Sequence, residues 1–238
     1  MAGGTGAVGR HVVEVARERG HDVVVLARSQ GVDLTTGAGL VERLDGVDAV
    51  IDTSNQVSQK RAAAEAFFGG VSRTLLGAEV GAGVRHHVAL SIVGVDDVDT
   101  GYYAGKRLQE RVLAEGPVPW TVLRATQFHK FAEQALHFVR VGPFSLVPRM
   151  LSQPVAAREV GEALVDLAEG DPVGRAPELA GPERLQMVDL ARKVAHGRRV
   201  VPLRVPGAAG KAMRTGALVP KGDGPRGTIT FDAWLATR

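Results

Sequence analysis

The tightest constraint on this chain lies in its first nine residues, Met-Ala-Gly-Gly-Thr-Gly-Ala-Val-Gly, where Gly3, Gly6 and Gly9 recur at every third position. An amphipathic run from residue 8 to about 19 follows at once, then Gly20 and the apolar run 22–27. Glycine tolerates positive φ and lets a dinucleotide pyrophosphate approach the backbone closely. The helix that follows aims its unpaired N–H groups and the positive end of its dipole at the phosphates. With 30 glycines in 238 residues the spacing alone is a weak signal. Its weight comes from the helix and strand that follow. Together they imply an α/β fold, a Rossmann-type parallel sheet flanked by helices, with Gly3, Thr5, Gly6, Val8 and Gly9 around a phosphate.

Such a sheet needs a buried strand of about five or six residues ahead of the glycine turn, and only Met1 and Ala2 stand there. The first strand is therefore expected to be truncated. The chain as given is expected to start late, as from a misassigned start codon, leaving a gap for neighbouring strands or water to fill.

Further along, Val23 to Leu26 form the continuous apolar run of a strand buried on both faces, and Arg28 and Ser29 sit just past its end. That position faces the adenosine ribose of a dinucleotide, where an acidic residue selects NAD and an arginine accommodates a 2′-phosphate. No Asp or Glu occupies positions 27–30, so NADP (NADPH) is favoured and NAD stays open. Asp33, after a short edge segment 31–34, is a candidate acceptor for the adenine amino group or a turn residue. A weak helix is expected over 39–44. The next buried strand, 47–51, ends in Asp52, Thr53, Ser54 and Asn55, short polar residues at the carboxyl end of a strand, where ligands bind; capping the next element is the alternative. A helix over 58–80 is interrupted by Gly69-Gly70, which is expected to kink it. The strand 84–92 carries His86 and His87, read as structural because no further ligand stands at metal spacing, and Ser91 near its end.

Tyr102 and Lys106 open the helix 102–115 and lie four residues apart, on one face. An ammonium beside a phenol favours the phenolate and lowers its pKa, which makes a usable acid or base. Ser91 is placed to hydrogen-bond a carbonyl and steady a developing alkoxide. The alternative for the pair is a solvated helix face. Tyr103 stands next to Tyr102, and spacing does not choose between them.

The order Gly3/Gly6/Gly9, Arg28, Asp52 to Asn55, Ser91, Tyr102-x-x-x-Lys106 resembles the short-chain dehydrogenase/reductase superfamily, and within it the atypical NAD(P)H-binding branch that includes NmrA-like proteins. The resemblance spans roughly residues 1–200 in layout. It implies hydride transfer between NADPH and a small carbonyl or quinone, with Ser91 polarising the carbonyl, Tyr102 delivering the proton, and Lys106 tuning Tyr102 and binding ribose. The strand 117–124 leads to Thr126, beside the cofactor, and to Gln127 and Phe128, which border the substrate in that family. Two other readings stand beside the reductase: a non-catalytic NADP(H)-binding sensor and, more weakly, a nucleotide-sugar epimerase or dehydratase.

Beyond Gly142 the pattern loosens into a short strand 144–147, an amphipathic helix 157–169 and short alternating elements. Residues 206–227, rich in proline and glycine, read as a mobile segment, with 231–235 docking at the end. The expected division is a dinucleotide-binding core over 1–142 and a small C-terminal lobe over 143–238. Composition excludes several classes. There is no cysteine, hence no disulfide, thiolate metal site or cysteine nucleophile, which fits a cytoplasmic protein. No apolar run reaches membrane-spanning length. Without such a run no membrane partner is expected, and the net charge of +3 comes without a Lys/Arg block, so a small-molecule substrate is expected rather than nucleic acid, on a monomer or homodimer.

Overall fold

Apolar strands alternating with amphipathic helices build an α/β fold with a parallel sheet, and the computed structural model describes residues 1–238. The chain forms two compact units, the first from residues 1–91, 100–124 and 157–176, the second from residues 92–99, 125–156 and 177–238. This division differs from a single cut after residue 142.

In the first unit, β1 (Ala49–Asp52), β2 (His86–Ile92), β3 (Trp120–Ala125) and β7 (Gly174–Arg175) lie side by side in that order. The β1–β2 and β3–β7 pairs are parallel. The glycine turn enters this sheet through a two-residue stub. Ala2 bridges Asp52 on one side and Leu26 on the other, both in parallel. The Ala2 N–H donates to Ile51 O at 2.9 Å, and the Met1 carbonyl accepts from Leu26 N at 2.9 Å. The stub thus occupies the position between two halves of the sheet where a Rossmann fold reverses its strand order and binds its ligand. The strand expected over 22–27 is reduced to the single bridge at Leu26, because two residues offer a neighbour only two pairing positions. Val23, Val24 and Val25 are accordingly half-buried, while Leu26 is fully buried.

Helix α1 (Gly9–Glu18) buries Val12, Val13, Val15 and Ala16. Helix α5 (Ala157–Glu169) is placed in the same unit. Arg158 pairs with Glu14 and Glu18 of α1, and Arg19 with Asp166 and Glu169 of α5. Helix α2 (Arg61–Ala82) continues through Gly69-Gly70 without a break in its span. Helix α3 (Gly101–Glu115) lies against α2. A Cβ on Gly105 would stand 2.8 Å from the Ala64 carbonyl oxygen and 2.7 Å from the Phe68 ring, so only glycine permits this approach. The edge strand and helix expected over 31–44 appear as one bridge, Asp33 to Ala38, and a single 3-10 turn, Val41–Arg43.

In the second unit, α4 is short (Phe131–Ala135). A three-stranded sheet orders β4 (Arg140–Val141), β5 (Phe144–Pro148) and β9 (Arg199–Leu203) beside α6 (Met187–Lys193). Strands β6 (Leu151–Ser152) and β8 (Leu185–Gln186) pair separately. Residues 206–227 are not a loose segment. They contain α7 (Gly207–Arg214) and bury Leu218 and Val219, and Gly94 packs so closely that a Cβ there would meet Ala217 O at 2.2 Å. Apolar side chains spaced among the prolines and glycines supply that burial. Helix α8 (Phe231–Ala236) docks through Phe231, with Thr230 capping its first turn. No helix is long and apolar enough to cross a membrane.

Candidate functional site

The glycine turn is built by contacts that exclude side chains. Gly3 takes φ +73°, and a Cβ on it would lie 2.8 Å from the amide nitrogen of Ser54. A Cβ on Gly9 would lie 2.1 Å from the Gly3 carbonyl oxygen, inside covalent-clash range. Gly6 closes the turn by donating its N–H to Gly3 O at 2.9 Å. No backbone or side-chain bond satisfies the amides of Thr5, Ala7 and Val8, and no side chain caps α1. Thr5 and Gly6 are exposed while Val8 is buried as the apolar foot of the turn. Unpaired amides at a helix head, in a turn that glycine lets close this tightly, suit a diphosphate.

Past Leu26, Arg28 and Ser29 lie in an exposed 3-10 turn, with Arg28 close enough for its charge to act on Asp33. The Asp33 carboxylate accepts from the amide and hydroxyl of Thr35 at 2.8 and 2.6 Å, bonds that hold its pKa below the usual carboxylate value. Both bonds fall on one carboxylate oxygen, Oδ1, which is thereby committed to the turn.

At the carboxyl end of β1, Asp52 is fully buried and organises the next three residues. One of its oxygens accepts from Ser54 N at 2.7 Å and the other from Gln109 Nε2 at 2.9 Å. Thr53 donates its N–H to Ala2 O, so this loop is stitched to the stub. The Ser54 hydroxyl is buried without a partner, and Asn55 is exposed. The Tyr102 hydroxyl donates to Asn55 Oδ1 at 3.0 Å. Tyr103 is buried at 8% exposure, so of the two tyrosines it is Tyr102 that reaches this polar loop.

The electrostatics differ from the sequence expectation. Burial pushes the Tyr102 phenol up to about 12, partly offset by its bond to Asn55. The Lys106 ammonium does not bond to it. It donates to Leu90 O and to Gln109 Oε1, both at 2.8 Å, and stands 4.4 Å above the centre of the Phe68 ring. Burial lowers Lys106 to about 8, against the opposing pull of Asp52 and Glu110. Sharing a helical face brought tyrosine and lysine to the same Phe68 ring, which Tyr102 meets edge-on at 5.6 Å, without placing the charge at the phenol. Ser91 also departs from its expected part. It is buried, and its hydroxyl donates to Glu110 Oε1 at 2.6 Å. Arg124 holds the same carboxylate with bonds of 3.0 and 2.6 Å. The Ser91 proton is thereby committed to a carboxylate, a stronger acceptor than a carbonyl.

Gln109, Glu110 and Phe68 were not legible as site residues. The only available hint was that Lys106, Gln109 and Glu110 recur at three and four residues along one helix. His86 is hydrogen-bonded to Thr121 Oγ1 at 2.8 Å, and His87 Nδ1 lies 2.8 and 3.0 Å from the two oxygens of Glu79. In the second unit, Thr126 donates its hydroxyl to Gln153 O at 2.6 Å. Gln127 is buried with neither end of its amide partnered, and Phe128, bridged in parallel to Val155, is half-buried.

Residues 3–170 match the family described as NAD(P)H-binding. Among curated proteins, the chain is 31% identical over 143 residues to the (4-alkanoyl-5-oxo-2,5-dihydrofuran-3-yl)methyl phosphate reductase of Streptomyces griseus, covering 54% of this chain and 47% of that protein. The chain thus spans about half the length of the curated relative it matches. Among solved structures, the NADPH-dependent quinone oxidoreductase of Escherichia coli complexed with NADPH superposes with a TM-score of 0.71 at 18% identity, over 99% of this chain and 97% of that one. A nucleoside-diphosphate-sugar epimerase of Staphylococcus aureus gives 0.71 at 16% identity, over 98% of both chains. These likenesses show a shared fold.

Proposed function

The chain belongs to the NAD(P)H-binding family, and from that premise we propose that it is an NADPH-dependent reductase of the short-chain dehydrogenase/reductase superfamily acting on a small carbonyl or quinone. The observation that carries this reading is the glycine turn. Gly3 and Gly9 let the backbone fold into a tight cradle, since Cβ atoms there would collide with Ser54 N and Gly3 O, and free amides line it. Thr5, Gly6 and Val8 complete the cradle, and Thr53, Ser54 and Asn55 border it from β1, with the unpartnered Ser54 hydroxyl a donor for a ribose oxygen. Arg28 and Ser29 are our candidates for a 2′-phosphate. The fork of an arginine matches a phosphate with two charge-assisted bonds. NADPH, when bound, supplies a hydride.

The protein's own contribution is a proton and a shape. With its pKa near 12 the Tyr102 phenol is neutral across the physiological range, so it serves as a hydrogen-bond donor and acid and not as a base. Lys106 acts as a support, holding the Leu90 carbonyl and, through Gln109 and Asp52, the loop that carries Asn55. Thr126 stiffens its own loop, and Gln127, with its unpartnered amide, and Phe128 are our candidates for substrate contact.

A second reading is favoured by a specific observation: the Ser91 proton and the Lys106 ammonium are both engaged elsewhere. A cofactor-binding sensor needs neither, and nor does direct hydride delivery to a quinone ring. NADPH oxidation over a panel of aldehydes, ketones and quinones separates these, with Tyr102→Phe alongside. We expect turnover, with Tyr102→Phe slowing aldehydes and ketones more than quinones. NADPH binding without turnover on any substrate points to the sensor. A titration of NADPH against NADH tests the cofactor preference. Arg28→Ala is expected to weaken NADPH by roughly ten- to a hundredfold, from about 1.5–3 kcal/mol for charged hydrogen bonds, and to leave NADH unchanged. Equal affinities in the wild type refute the phosphate assignment.

A further inference from the structure

The β4-β5-β9 sheet of the second unit is covered on one face only. Its register places Val141 opposite Phe144 and Phe144 opposite Arg199, with Leu146 opposite Val201 and Pro148 opposite Leu203. Val139, whose carbonyl accepts from Leu146 N, precedes them on the same side. Alternation along each strand therefore gathers Val139, Val141, Phe144, Leu146, Val201 and Leu203 on one face. The intervening Ser145 and Val147 face the other way and are fully buried. On the open face, Val139, Val141 and Val201 are 41%, 59% and 37% exposed, and neighbouring Phe138 is 52% exposed. Single exposed apolar residues are ordinary, but a contiguous apolar face marks an interaction surface.

The surrounding charge is of one sign. Residues 134–158 and 190–222, which supply the face and its rim, contain no aspartate or glutamate. Arg199 lies on the face with its guanidinium 5.8 Å from the centre of the Phe144 ring. Arg140, Arg149 and Arg204 are exposed on the edge strand or just past the ends of β5 and β9. A second copy of the chain would set these arginines against their own kind, and Pro202 blunts the free edge of β9 against strand addition. A specific protein interface carries about one hydrogen bond per 100–200 Å², yet Arg199 is the only hydrogen-bonding side chain among the paired residues of this face. Such a surface recognises hydrocarbon and negative charge, with little means of reading anything else.

We propose that this face docks the protein peripherally on an anionic phospholipid bilayer, its apolar side chains entering the headgroup layer and its arginines meeting lipid phosphates. The expectation of no membrane partner rested on the absence of a spanning segment, which a contact of this kind does not need. The inference stands apart from the reductase reading.

The test is sedimentation of the full chain with vesicles of phosphatidylcholine alone or mixed with phosphatidylglycerol. Binding is expected to the mixed vesicles at low salt, to weaken as salt is raised, and to be absent from phosphatidylcholine alone. Arg199→Gln with Arg204→Gln is expected to weaken it by roughly fivefold for each arginine. Val141→Asp with Val201→Asp, both at exposed positions, is expected to abolish it while thermal unfolding and circular dichroism stay as in the wild type. Arg10→Gln, an exposed cation on α1, is expected to bind as the wild type does. Failure to sediment with the mixed vesicles overturns the proposal, as does wild-type binding by the valine pair, which would reduce the effect to diffuse charge. Self-association of the wild type that Val141→Asp removes also overturns it, in favour of a contact between copies.

Discussion

Removing one half of the Glu79–His87 pair is expected to be among the most damaging single changes to the first unit. Both side chains are fully buried, with His87 Nδ1 within hydrogen-bond distance of both carboxylate oxygens and its Nε2 buried without a partner. Desolvation lowers the His87 pKa, but the hydrogen bond and charge of Glu79 outweigh it, so the net shift is upward from the usual 6.5. His87→Leu strands a carboxylate in the core, at a cost of about 3–5 kcal/mol. For a chain of this size that lowers the melting temperature by roughly 6–20 °C, taking about 2–4 °C per kcal/mol. Replacing both residues, as Glu79→Leu with His87→Leu, removes the buried charge altogether and is expected to recover most of the loss. The sign of the pH dependence follows from the raised pKa. The stabilisation is fully present below 6.5 and is lost as pH rises through the folded-state value. Urea unfolding of the four proteins of this cycle, at acidic and alkaline pH, measures both effects. If the double variant loses the sum of the two single losses, or if the wild-type advantage grows with pH, the pair is not coupled as argued.

Gly9→Ala is expected to abolish NADPH binding, measured by fluorescence titration, because its Cβ would stand 2.1 Å from a backbone oxygen that cannot move without opening the turn. With the Lys106 pKa lowered to about 8 from 10.5, wild-type stability is expected to rise between those pH values, by up to about 3 kcal/mol, and Lys106→Met is expected to lack that rise in unfolding experiments. Because the Tyr102 pKa lies near 12, the pH profile of carbonyl reduction is expected to show no loss of activity from phenol ionisation below pH 10, and a tyrosine-dependent limb near neutrality would contradict the geometry. In the second unit, Gly181→Ala drives a Cβ to 1.7 Å from Pro154 O and is expected to destabilise by about 2 kcal/mol or more, read by thermal melting.

Local chemistry was readable along the chain wherever residue type and spacing leave few choices. The every-third glycines, the apolar strands ending in short polar residues and the amphipathic helix at Ala157–Glu169 each satisfy a rule that holds within a few residues, so the α/β fold and the dinucleotide turn followed from order alone. Only the tertiary structure decided what each polar group faces. Lys106 and Tyr102 share a helical face by spacing, but the Lys106 proton goes to Leu90 and Gln109, because α3 lies close enough to β2 for a backbone carbonyl to meet it first. Ser91 ends its strand as expected and still gives its proton to Glu110, which Arg124 brings into place from a different strand. The open apolar face of β4-β5-β9 has the same origin. Valine alternation is visible in sequence, but whether a helix covers that face depends on where the remaining elements come to rest. Hydrogen-bond partners and solvent exposure are set by residues far apart in the chain, and no local pattern contains them.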